Sequence, residues 1–169
     1  LGILVLGSFG RRFHFSLVFL GQCGKRLGIA LVKTGNNAEI LKQQNLELYS
    51  SLIPYCEKYD VKVAVENMWQ YPGMISHSTC SKPEEFIQYV DGISSQWAVA
   101  CLDIGHTVLV REQPDEFIRK LGKDRLKCLH IHDVDGIDDL HTFPYMGITD
   151  WDSVMKALAD IGYTGDFTY

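Results

Sequence analysis

Three apolar runs in this chain end in side chains able to bind a metal ion or move a proton. Val65 leads into Glu66-Asn67, Leu102 into Asp103-Ile104-Gly105-His106, and Leu129 into His130-Ile131-His132-Asp133. A charge at the buried end of an apolar run is costly unless it is paired or metal-bound. Taken singly, each residue reads most simply as a turn former, a helix cap or a satisfied core histidine. Three in succession, ending in Glu, Asp and His, point instead to a shared site. A mixed carboxylate and imidazole set suits Mn2+, Mg2+, Co2+ or Zn2+ without choosing between them. The segment beyond adds Asp133, Asp135, Asp138, Asp139 and His141. Asp135 and Asp138 read as a solvated acidic loop. Asp139-Leu140-His141 has a D-x-H arrangement that suits a second metal site or the orientation of a substrate.

Bringing Glu66, Asp103 and His130 together requires that the strands carrying them run parallel, and the surrounding pattern supplies that. Asn45 is a plausible N-cap for a helix whose Tyr49, Leu52, Ile53 and Cys56 lie on one face, with Pro54 expected to kink it. Residues 61 to 65 form a short β-branched strand. Ser81-Lys82-Pro83-Glu84 has capping-box spacing before Phe86, Ile87 and Val90. Trp97 to Leu102 is a continuous apolar run, as expected of a strand covered on both faces. A helix from Pro114 to Leu121 stops at Gly122, and a strand follows from Leu126 to Ile131. Asp150 caps a helix with Val154, Ala157, Leu158 and Ile161 on its apolar face and Gly162 as its stop, and Asp166 to Tyr169 begins another strand. Such alternation means βαβ units and a parallel sheet. The three groups are each about one βα unit apart, roughly 30 residues. Equivalent positions on neighbouring strands lie about 4.8 Å apart, so the three converge at one mouth of the sheet. In a barrel this mouth is the C-terminal face, where active sites are built. His132 shares the inward face with His130 if the strand is regular, which leaves the choice between them open.

Composition narrows the class. The 169 residues, 46% hydrophobic and 22% charged, suit one globular core. A net charge of -5, with cations clustered only at Arg11, Arg12, Lys25 and Arg26, argues against a nucleic-acid partner. Cys23, Cys56, Cys80, Cys101 and Cys128 are odd in number and well separated, as expected of reduced, buried thiols in a cytoplasmic protein. No apolar run is long enough to span a membrane. Phe13 to Leu20 mimics a secretory leader but is short, contains His14 and lacks a small-residue cleavage signal. The chain opens at Leu1 without Met and stops at Tyr169 inside a strand-like run. A whole (β/α)8 barrel takes about 250 residues. The chain is therefore expected to be a fragment: an unreadable segment over residues 1–44, then the C-terminal half of a barrel over residues 45–169.

Five motifs in order resemble the xylose isomerase-like sugar phosphate isomerase/epimerase family. They are Ala64-Val65-Glu66-Asn67, Leu102-Asp103-Ile104-Gly105-His106, Leu129-His130-Ile131-His132-Asp133, Asp139-Leu140-His141 and Gly147-Ile148-Thr149-Asp150-Trp151. The resemblance covers about residues 45 to 169 and implies an α/β fold, part of a (β/α)8 TIM barrel with parallel strands. It implies a divalent metal held by Glu66, Asp103 and His130 together with a glutamate from the final strand, which is absent after Tyr169. It further implies that Glu66 doubles as acid/base and that His106 contacts substrate. Asp139 and His141 resemble the extra ligands of the endonuclease IV-type members. Asn67, His132 and Asp133 are expected next to substrate or behind the ligands.

Three functions follow as expectations. The first is a metal-dependent isomerase or epimerase of a sugar or sugar phosphate, in which the metal stabilises an ene-diolate while carboxylates on opposite faces move the proton. The second is a phosphodiester hydrolase of the endonuclease IV type, disfavoured by the acidic balance. The third is an inactive fragment, because half a barrel exposes sheet edges and should be unstable or associate with itself as a homo-oligomer.

Overall fold

The computed structural model describes residues 15–19, 26–31, 38–69 and 80–169. In chain order these form β1 (Phe15–Phe19), β2 (Arg26–Leu31), α1 (Ala38–Tyr59), β3 (Lys62–Glu66), α2 (Pro83–Gly92) and β4 (Ala98–Asp103). There follow α3 (Ile104–Leu109), α4 (Pro114–Arg125), β5 (Leu126–His130), α5 (Trp151–Asp160) and β6 (Asp166–Thr168). One six-stranded sheet takes the strands in the order of the sequence. β1 pairs antiparallel with β2, and every later neighbouring pair is parallel. A doubly-wound sheet reverses its strand order at a switch point. Steady progression in one direction, with a helix at each crossover, is instead the winding of a (β/α)8 barrel, here in part.

Local chemistry sets the element boundaries, and it corrects the sequence reading in two places. α1 begins at Ala38, so Asn45 is a buried residue inside the helix and not its cap. Pro54 also lies within α1, which continues past it to Tyr59. Before α2 the capping position falls to Lys82, whose side chain makes no cap bond, and Pro83 opens the helix. That one-residue shift moves Ser81 outside the helix and breaks the S-x-x-E register, while proline's fixed φ suits the first helical position. Gly122 interrupts α4 with a φ of 67°. Asp150 caps α5 by accepting from the Ser153 N–H at 3.1 Å, and Gly162 (φ 67°) lies just beyond its end.

The sheet divides the core by side-chain parity. Val63, Val65, Ala100, Leu102 and Leu129 join Phe86, Phe117, Ile118, Leu121, Trp151 and Val154 in the main cluster. Ala64, Val99, Cys101 and Cys128 form a second, smaller cluster. Alternation along each strand puts Glu66 two residues beyond Ala64, Asp103 two beyond Cys101 and His130 two beyond Cys128. The polar groups thus rise from the face lined by small side chains. Cys56, Cys80, Cys101 and Cys128 are buried and not in disulfides, while Cys23, like Arg11, Arg12 and Lys25, lies outside the described residues. Among the described residues no helix is long and apolar enough to cross a membrane.

Phe117 of α4 is 1% exposed and meets Phe86 of α2 edge-on, with ring centroids 5.9 Å apart. Replacing it with Ala is expected to cost about 3–5 kcal/mol of stability. Urea denaturation followed by far-UV circular dichroism measures this, and a loss below about 1 kcal/mol would contradict the assigned packing.

Candidate metal centre

The three functional strands end in step, but not level. The β3–β4 register pairs Glu66 with Cys101, and the β4–β5 register pairs Asp103 with His130. Glu66 therefore starts two residues lower than Asp103 and meets the same point through its longer side chain. His130 Nδ1 lies 3.1 Å from Glu66 Oε1 and 3.3 Å from Asp103 Oδ2. His132, two residues further on, places Nε2 2.9 Å from Asp103 Oδ1 and 3.0 Å from Oδ2. Both histidines reach Asp103, so the strand does not force a choice between them.

The turn after β4 brings the next group. Asp103 accepts from the His106 N–H at 2.8 Å and caps the six-residue α3, an element that the sequence patterning did not suggest. His106 Nδ1 is 2.9 Å from the Asn67 carbonyl, and its Nε2 is 3.4 Å from Asp139 Oδ2. The Asn67 side chain binds the strand end itself. Its Oδ1 accepts from the Asp103 N–H at 2.6 Å, and its Nδ2 donates to the Asp103 carbonyl at 3.0 Å and to Thr107 Oγ1 at 3.1 Å. Gly105 is forced to be glycine by proximity, because a Cβ there would lie 2.2 Å from His132 Cε1.

Asp139 and His141 come from the segment between β5 and α5. Asp139 Oδ2 is 3.3 Å from His141 Nε2, and Oδ1 is 3.8 Å from His132 Nε2. The His141 ring, exposed at the rim, stacks on that of buried His132 at 3.8 Å and 9°. The Asp133 carboxylate takes no part in this cluster. It accepts from Thr149 Oγ1 at 2.7 Å, Thr149 N at 3.1 Å and Trp151 Nε1 at 2.8 Å. Neither Thr149 nor Trp151 stood out as chemistry in the sequence, although both lie in the motif that precedes α5.

Three groupings place candidate ligand atoms within 4.8 Å of one another: Glu66, Asp103 and His130; Asp103, His106 and His132; and His132, Asp139 and His141. Glu66 Oε2, His132 Nδ1 and Asp139 Oδ1 are buried without a hydrogen-bond partner. Orphaned lone pairs of this kind are costly in a protein interior, and a cation ligated by the carboxylates would relieve that cost. The residues therefore fit a divalent metal. Electrostatics agree. Burial opposes ionisation of Asp103, but His106, His130 and His132 outweigh it and hold its carboxyl well below the usual range. Burial likewise opposes protonation of the imidazoles, yet the facing carboxylates raise His106 to about 9 and His130 to about 10. Asp139, despite burial, is lowered by His106.

Comparison with known proteins supports the same fold. The family model described as xylose isomerase-like TIM barrel matches residues 18–168. An uncharacterised protein of Methanocaldococcus jannaschii is 31% identical over 130 residues, 76% of this chain and 42% of its own length. The D-psicose 3-epimerase of Enterocloster bolteae is 32% identical over 133 residues, 79% of this chain and 39% of its own. The crystal structure of a D-tagatose 3-epimerase-like protein superposes with a TM-score of 0.72 at 25% identity, over 85% of this chain and 54% of that one. The chain thus spans well under two thirds of the curated relatives' length.

Because His106 and His130 titrate above the ordinary value near 6.5, their protonated forms stabilise the metal-free fold below that value. The contribution is lost as pH rises through about 9 and about 10. The melting temperature of the metal-free protein is expected to fall across that interval, and cation binding at neutral pH to release protons. Melts at several pH values, and calorimetry in buffers of different ionisation enthalpy, test this. A flat alkaline profile with buffer-independent heats would contradict it.

Proposed function

This chain belongs to the xylose isomerase-like TIM-barrel family, and we propose that it carries the metal-binding part of a sugar epimerase or isomerase acting on a ketose or its phosphate. The observation that carries this reading is the meeting of Glu66, Asp103 and His130 at one point, with a Glu66 oxygen left unpartnered there. The epimerase names among its relatives support it.

In this reading Glu66, Asp103 and His130 would hold a divalent cation, whether Mn2+, Mg2+, Co2+ or Zn2+. A bound ion would supply Lewis acidity that makes a C–H next to a carbonyl acidic enough to lose its proton. Glu66 takes or returns that proton through its free oxygen. His106, oriented by the Asn67 carbonyl on Nδ1, offers Nε2 to a substrate oxygen. Asp103 remains ionised and keeps His130 and His132 in place. Epimerisation also needs a base on the opposite face of the carbon. In this reading that second base is the glutamate that the resemblance expects on the final strand.

A second reading rests on the His132, Asp139 and His141 group. An additional cation there would suit a phosphodiester hydrolase of the endonuclease IV type. The net charge of -5 disfavours a nucleic-acid substrate.

With each metal supplied to the full-length protein, a panel of ketoses in D2O is expected to exchange deuterium at the epimerised carbon. Glu66→Gln should slow exchange about a hundredfold or more. No exchange into any ketose with any of the four metals would overturn the epimerase reading, and cleavage of an abasic-site duplex would establish the hydrolase instead.

A further inference from the structure

Beyond the buried Val134, apolar burial holds little of the segment carrying Asp139 and His141. Ile137, Phe143, Tyr145, Met146 and Ile148 along it are each 57–71% exposed. Tyr169 ties it once, its hydroxyl donating to the His141 carbonyl at 3.0 Å and its ring stacking on Phe143, but the residue that makes most of its hydrogen bonds to the sheet is Asp133. The main chain of Asp133 forms an isolated antiparallel bridge with Thr142, its N–H donating to the Thr142 carbonyl at 2.7 Å and its carbonyl accepting from the Thr142 N–H at 3.1 Å. Thr142 Oγ1 donates to the same carbonyl at 2.9 Å. The Asp133 carboxylate then gathers the far end of the segment through Thr149 N, Thr149 Oγ1 and Trp151 Nε1, and takes the Val134 N–H at 2.9 Å. Gly147 lets the chain pass over this carboxylate, since a Cβ there would lie 2.4 Å from Asp133 Oδ1 and 2.2 Å from the Val134 carbonyl oxygen. Asp139 and His141 lie between the first tie, at Thr142, and the strand end itself.

We propose that Asp133 is a positioning residue: it latches the segment over residues 134–150, and the latch holds Asp139 and His141 against His132. The inference rests on the reading above, in which that group takes a cation. The alternative is that Asp133 only adds general stability. The two differ because a latch acts selectively on one of two neighbouring groups. A carboxylate accepting several N–H and O–H bonds anchors more strongly than neutral groups do. Apart from the adjacent Val134 N–H, the donors it gathers, from Thr149 and Trp151, lie on the C-terminal side of Asp139 and His141, so loosening them frees that stretch without touching Glu66, Asp103 or His130.

The test is Co2+ titration of the full-length protein, with proton NMR of the paramagnetically shifted imidazole N–H signals to separate His130 from His132 and His141. Thr149→Val removes one donor to the latch while keeping the side chain's shape. It should weaken Co2+ at the His132 and His141 group roughly tenfold or more, leave the His130 signal in place and change the melting temperature little. Thr149→Ser should restore binding, and Asp133→Asn should show the same selective loss in stronger form. Unchanged binding in Thr149→Val, or equal loss at both groups with a collapsed melting temperature, would overturn the proposal. Should the wild type show the His130 signal alone, the second-cation reading fails. Amide exchange over residues 139–142 of the metal-free protein then decides the latch: faster exchange in Thr149→Val, reversed in Thr149→Ser, supports it, and equal rates overturn it.

Discussion

The constraint on which this structure turns is the burial of two carboxylates, Glu66 and Asp103, at 3% and 0% exposure on the ends of apolar strands. Ionised groups removed from water must recover their solvation from neighbours or change protonation state. The chain supplies those neighbours from three directions. His130 approaches from the end of β5 and His132 from just beyond it, the His106 amide and ring approach from α3, and Asn67 braces the strand end from just after β3. Asp103 also caps α3 through the His106 N–H. Even so, a Glu66 oxygen and an Asp139 oxygen stay unpartnered, and a cation would complete what the protein groups leave unfinished.

Much of this was legible in sequence because the signals were local. An apolar run followed by a ligand-type residue specifies both a strand and which of its ends is polar, and three repeats of that unit imply a common mouth. The parallel sheet follows from the same alternation. The strand order, however, came from the resemblance to a barrel, since periodicity carries no record of which strand lies beside which. Boundaries failed where tertiary context overrode propensity. Asn45 has a good capping side chain, but α1 starts a full two turns earlier. Ser81 has the right spacing to Glu84, but Pro83 claims the first helical position and shifts the register by one.

The residues that escaped notice share a different property. Thr149 and Trp151 donate to Asp133, and Thr107 accepts from the Asn67 amide, all distant in sequence, so their role depends on the fold and not on their own neighbourhood. Gly105 and Gly147 are defined by what approaches them, an imidazole in one case and a carboxylate in the other. Steric exclusion of that kind has no signature in a single sequence. His132 shows the reverse: its place two residues after His130 predicted a shared face, and the geometry adds that it serves two groupings at once.

The unequal starting heights of Glu66 and Asp103 carry a consequence for how such a site varies. Strands in a barrel are staggered, so successive strands present their tips on a slope. A ligand low on the slope needs a longer side chain to reach a fixed point, and one higher up needs a shorter one. Glutamate on β3 and aspartate on β4 are therefore a matched pair of lengths, and exchanging the two acids would preserve charge while misplacing both donors. The order of acidic side chains around the rim is in this sense a readout of the sheet's pitch.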